Sequence, residues 1–115
     1  MGNIVLDFGK FRLDAELLDN DVANRFLRGL PCEIELEQWG GELYGPLSFD
    51  CGTENAVPEI PAGGIAYSKK GRYLCLFFGQ TPAWPVDHIG MMKKWERLRE
   101  EKDNHLTKVL IKKSV

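Results

Sequence analysis

No apolar run in this 115-residue chain approaches the ~20 residues needed to cross a bilayer, so no membrane-spanning helix is expected. Cysteine is scarce. Cys32, Cys51 and Cys75 leave one thiol unpaired in any disulfide scheme, and no two are spaced as a CxxC pair. A secreted staple fold and a zinc ribbon are therefore excluded, and a reducing cytoplasm is the expected compartment. The two histidines, His88 and His105, lack any HxxH or HExxH context, so zinc hydrolysis is not expected. The chain also has no GxSxG, no Walker loop and no GxGxxG. Those absences argue against a nucleophile-elbow hydrolase, a phosphate-cradling loop and a dinucleotide fold. No metal and no organic cofactor is expected. The opening Met1-Gly2-Asn3-Ile4 has no basic stretch leading into an apolar one, which predicts no signal peptide.

What is present is ordinary globular material. Hydrophobic residues make up 43% and charged residues 28%, too apolar for a disordered tail. The length suits one domain over residues 1–115, burying roughly two-thirds of the unfolded surface. Charge is unevenly spread. Residues 1–60 hold twelve acidic and four basic side chains; residues 61–115 hold five acidic and eleven basic. Acids interleave with the C-terminal bases (Glu96, Glu100, Glu101, Asp103), which breaks any stripe that could track phosphates. The two halves are expected to neutralise each other within one domain, with no nucleic-acid partner and no membrane partner.

Period-two alternation marks most of the elements. Asn3–Phe8 and the Phe11–Asp14 segment read as strands joined by Gly9-Lys10, a tight hairpin with glycine first. Asp19-Asn20-Asp21 offers N-caps for a helix of about two to three turns whose apolar face is Val22, Ala23, Phe26, Leu27 and Leu30. Gly29 is expected to close it in a left-handed conformation, and Pro31 forbids continuation. Cys32–Glu37 reads as one strand, with Cys32, Ile34 and Leu36 inward and three glutamates in water. Adjacent Gly40 and Gly41 mark a turn flanked by aromatics. Residues 51–64 are loop-like, with a short strand at 57–60. Ile65-Ala66-Tyr67 is a strand, Ser68–Arg72 a loop, and Tyr73–Phe78 a strand apolar throughout and so buried on both faces. Val86–Met91 is a further strand, Lys93–Asp103 a helix stopped at Asn104, and Leu106–Ile111 a last strand. Eight or nine short strands and two helices, with frequent turn residues, predict a closed barrel or a sandwich.

Three segments carry a resemblance: Gln38-Trp39-Gly40-Gly41-Glu42-Leu43-Tyr44, Gly64-Ile65-Ala66-Tyr67, and Leu74-Cys75-Leu76-Phe77-Phe78-Gly79-Gln80-Thr81-Pro82, followed by Ile89-Gly90. In order and spacing they resemble the small single-domain cyclophilin-like-fold proteins of bacteria and archaea, a family without an assigned function. The chain departs from the family pattern at Gly64, where an Asp often follows the glycine, and its Pro82–Ile89 stretch is short. The resemblance implies a mainly β fold: a closed cyclophilin-like barrel of about eight strands with two helices. It also brings in the prolyl isomerases of that fold, which need an arginine to stabilise the twisted amide. Phe26-Leu27-Arg28-Gly29-Leu30-Pro31 echoes the arginine segment, but Arg28 falls on the helix derived above.

The candidate ligand-binding residues are Trp39, Glu42, Tyr44, Tyr67, Phe78 and Thr81. Rings with one polar tip suit pocket walls, and Glu42 is the acid within the Trp-Gly-Gly-Glu-Leu-Tyr segment. Set against this, Phe78 suits core packing and Thr81 suits a turn. Glu33, Glu35 and Glu37 form a solvated strand face, about 7 Å apart along it and too far for one ion. Cys75 lies in an apolar strand, where burial disfavours the thiolate. No catalytic residue is assigned. The expected function is a binding module for a small molecule or peptide, with an isomerase or an interaction subunit as alternatives, and the expected state is a monomer or weak homodimer.

Overall fold

A computed structural model describes residues 2–101 and 105–114. Among these are ten strands: β1 (Asn3–Asp7), β2 (Arg12–Leu17), β3 (Cys32–Glu35), β4 (Glu37–Trp39), β5 (Glu42–Pro46), β6 (Ala56–Val57), β7 (Gly64–Ser68), β8 (Tyr73–Phe77), β9 (Val86–Met92) and β10 (Lys108–Lys113). Two α-helices, α1 (Asp21–Arg28) and α2 (Glu96–Glu100), accompany them. All pairings are antiparallel, in the order β3-β10-β1-β2-β9-β7-β8-β5-β4, with β6 beside β9. The fold is mainly β, a nearly closed barrel with two helices.

The first hairpin follows its sequence. Gly9 takes φ 91°, the Phe8 N–H donates to the Phe11 carbonyl at 3.0 Å, and Asp7 pairs with Arg12 across the two-residue loop. Asn20 caps α1 by accepting from the Ala23 N–H at 2.8 Å, and its amide donates to the His88 carbonyl on β9 at 3.1 Å. The helix buries Val22, Ala23 and Phe26. Full burial of Phe26 contributes about 1.5–3 kcal/mol. Gly29 is not left-handed: its φ is −86°, and its N–H donates to the Phe26 carbonyl. The stop comes from Pro31, whose bond to Leu30 is cis.

Cys32–Glu37 is not one strand. β3 pairs with β10 and β4 with β5, so the chain changes neighbours at Leu36, whose N–H donates to Thr107 at 2.8 Å. β3 and β4 are the two ends of the sheet order, and this single residue joins them. Beside that junction β3 passes β5, the strand next to β4, at Gly45 against Ile34 and Glu35. Other boundaries shift: the short strand before Pro58 is Ala56–Val57, the second helix covers only Glu96–Glu100, and the last strand is Lys108–Lys113. The expected stop at Asp103 and Asn104 lies outside the described residues. No described helix is long and apolar enough to cross a bilayer.

The barrel interior holds the main core, including Ile4, Leu6, Leu17, Phe26, Ile34, Leu43, Tyr67, Leu74, Leu76, Phe78 and Ile111. A second cluster, Ile60, Ala66, Cys75, Phe77 and Val86, is packed separately, with Tyr44, Val57 and Tyr73 against it. Both clusters draw on β8, Leu74 and Leu76 in one and Cys75 and Phe77 in the other, which is why that strand is apolar throughout.

Candidate functional site

Register builds a cleft on the outer face of β4, β5 and β8. Trp39 pairs with Glu42 across β4 and β5, and Glu42 pairs with Phe77 across β5 and β8. One pleat further along, Tyr44 pairs with Cys75. Each of these side chains points away from the barrel interior, because Leu43 and Leu76 between them point into it. Tyr73 continues the face and meets Tyr44 edge-on, with ring centroids 5.4 Å apart. The opposite wall is the segment Pro82, Ala83 and Trp84, with Val86 at the start of β9. The cleft encloses about 450 Å³.

Three contacts fix that wall. Gln80 Oε1 accepts from the Gly41 N–H at 2.7 Å, tying the segment to the turn between β4 and β5. That turn needs glycine: Gly40 has φ 58°, and a Cβ on Gly41 would stand 2.7 Å from the Cα of Gly79. The Trp84 indole N–H donates to Ser68 Oγ at 2.8 Å. Arg99 from α2 donates to the Phe78 carbonyl at 3.2 Å. The rim stays open: Trp39 is 55% exposed and Trp84 38%.

Among the described residues, Glu42 is the one lining residue with a carboxylate, and it is 6% exposed. Burial pushes its carboxyl above the usual range, while hydrogen bonds from the Cys75 and Gln80 side chains pull the other way. The Tyr44 hydroxyl is pushed up by burial and then by Glu37. Burial also raises the Cys75 thiol, most strongly of the three cysteines. The Cys32 thiol rises to about 11 and Cys51 to about 12, again chiefly by burial. None of these is a poised thiolate.

Of the six residues proposed from the sequence, Trp39, Glu42 and Tyr44 stand on the cleft wall. Tyr67 and Phe78 do not. Both belong to the main core, and the Tyr67 hydroxyl donates to Asp50 Oδ1 at 2.9 Å. Thr81 is exposed and off the wall. Tyr73, Cys75, Phe77, Pro82, Ala83, Trp84 and Val86 complete the lining. Tyr73–Phe77 is apolar throughout, and only its register against β5 tells which face meets the cleft. His88 is half-buried, its Nε2 2.9 Å from the Gly90 carbonyl. Arg28 is exposed at the end of α1 and is not part of the lining. Among the described residues no group of His, Cys, Asp or Glu could hold a metal ion.

An antiparallel, nearly closed barrel with two helices and an outer-face cleft defines a class, and a family model agrees. The model described as Cyclophilin-like matches residues 2–112, and the chain belongs to that family. Among solved structures it is similar to the hypothetical protein AF2241 from Archaeoglobus fulgidus, with TM-score 0.75 and 21% identity over 98% of this chain and 95% of that one. It is also similar to McbB, solved in complex with tryptophan, with TM-score 0.75 and 16% identity over 95% of this chain. The chain spans 44% of McbB's length. At these identities the two likenesses concern the fold alone. No curated protein matches the chain.

Proposed function

We propose that this protein is a binding module whose cleft takes a small molecule with an apolar, ring-bearing body. The supporting observation is the lining. Trp39, Tyr44, Tyr73, Phe77 and Trp84 surround about 450 Å³, within the range of small-molecule pockets. Aromatic walls bury a large area on a flat ligand, and their faces and edges select ring geometry. The contacts of Gln80, Trp84 and Arg99 hold the Pro/Gly segment in place, so little ordering is left to be done on binding.

Prolyl isomerisation has weaker support. The arginine that the isomerase resemblance calls for would have to reach the cleft, and among the described residues no arginine lines it. The test is a pair of NMR experiments on the labelled protein. 2-Phenylethanol is expected to shift the amides of Glu42, Tyr44, Cys75 and Phe77 saturably. An X-Pro peptide is expected to keep its uncatalysed exchange, which takes tens to hundreds of seconds. Accelerated exchange abolished by Arg28→Ala would replace the binding-module reading with the isomerase one. Concentration-dependent broadening at Trp39 and Trp84 without fragment shifts would replace it with self-association through the rim.

A further inference from the structure

The polarity of the cleft narrows the ligand further, on the reading that the cleft is a ligand site. Among the described residues, the ten that line it include one carboxylate, Glu42, and no lysine, arginine or histidine. Glu42 sits in the row Trp39–Glu42–Phe77, so its carboxylate is flanked by aromatic side chains across both neighbouring strands. Glu37 is paired opposite Tyr44 on β4 and adds a second negative charge beside the same wall. A buried carboxylate without a cation among its neighbours is costly to keep ionised. Aromatic faces carry negative potential and attract cations, most strongly when water is excluded. The chain already shows this at the rim, where the Lys70 ammonium lies 4.6 Å above the Trp84 ring.

We infer that the cleft is specific for an organic cation: a protonated or alkylated amine carried on an apolar body, its nitrogen paired with Glu42 and its body against the rings of Trp39, Tyr44, Tyr73 and Trp84. An anion would meet Glu42 and Glu37 with only the Lys70 ammonium, at the rim over Trp84, to offset them. A neutral ring would gain the aromatic contacts but leave the buried carboxylate with its Cys75 and Gln80 hydrogen bonds and no cation.

Three probes of matched shape separate the possibilities: phenethylamine, 2-phenylethanol and 3-phenylpropionate, each titrated at pH 7.5 into the labelled full chain and into Glu42→Gln. Phenethylamine is expected to bind about tenfold more tightly than the alcohol, the anion weakest, and the preference is expected to vanish in Glu42→Gln. Removing a carboxylate and adding an amide of the same shape keeps the fold, and an unchanged spectrum away from the cleft verifies it. Equal binding of amine and alcohol to the wild-type chain overturns the cation inference but leaves the small-molecule cleft standing. A cation preference undiminished in Glu42→Gln overturns the role of Glu42, and with it the inference. Failure of all three probes to shift any cleft amide overturns both this inference and the binding-module reading.

Discussion

Gly45 and Glu35 close the barrel by backbone contact. A Cβ on Gly45 would stand 2.0 Å from the Glu35 carbonyl oxygen and 2.5 Å from Cγ2 of Ile34. β5 and β3 are not paired by any ladder, so this close approach takes the place of hydrogen bonds at the seam. It depends on a residue with no side chain.

Gly45→Ala is therefore expected to destabilise the protein by roughly 1–3 kcal/mol, because backbone rather than a flexible side chain must give way. Denaturant unfolding monitored by tryptophan fluorescence measures this. An unchanged midpoint would mean that the seam is not a tight contact.

That seam also shows where the sequence stops being readable. Cys32–Glu37 alternates without interruption, and nothing local marks Leu36 as the point where the chain changes partners. The break is imposed by β10 and β5, both distant in sequence. The site divides the same way. Trp39, Glu42 and Tyr44 were legible because they flank one glycine turn and reach the cleft from adjoining strands. Tyr67 could not be assigned a face from the sequence, because β7 is buried on both faces and hydrophobicity carries no information about which one meets the cleft. Phe78 follows β8 into the interior for the same reason. The outer wall, Pro82 to Trp84, read only as a bend, since its place over β5 depends on a long-range bond from Gln80 to Gly41.

Glu42 gives a pH dependence of definite sign. Burial raises its folded pKa above the unfolded value, so the folded state binds more protons and stability falls as pH rises from the unfolded pKa through the folded one. Glu42→Gln removes this. The variant is expected to match the wild type at the acid end of that window and to be more stable at neutral pH. Thermal unfolding at both ends of the window checks it. A variant less stable at neutral pH would show that the carboxylate is held by a favourable charge partner.

Asp50 works in the opposite sense. Lys69, then the Gly52 N–H and the Tyr67 hydroxyl, hold its carboxyl well below the usual carboxylate range. Its contribution is present above the unfolded pKa and lost as pH falls toward the folded one. Asp50→Asn is expected to lower the melting temperature at pH 7 and to reduce the loss of stability on acidification below about pH 4. Equal acid sensitivity in both proteins would show that other carboxylates control it.

Trp39 and Phe26 are expected to separate binding from folding. Trp39 is more than half exposed, so Trp39→Ala leaves the unfolding midpoint nearly unchanged and weakens fragment binding several-fold. Phe26 is wholly buried, so Phe26→Ala costs about 3–5 kcal/mol. Calorimetric scans of the two variants, followed by fragment titration of Trp39→Ala, test the contrast. Loss of the fold in Trp39→Ala would make that side chain structural.

The claim that the cleft is a ligand site is tested most directly by intermolecular nuclear Overhauser contacts between the phenyl protons of a saturating phenyl-bearing fragment and the protein. The account predicts contacts to the indoles of Trp39 and Trp84 and to the rings of Tyr44 and Tyr73, all lost in Trp39→Ala or confined there to the remaining rings. Contacts found only outside this face, or none at saturating fragment, would contradict it.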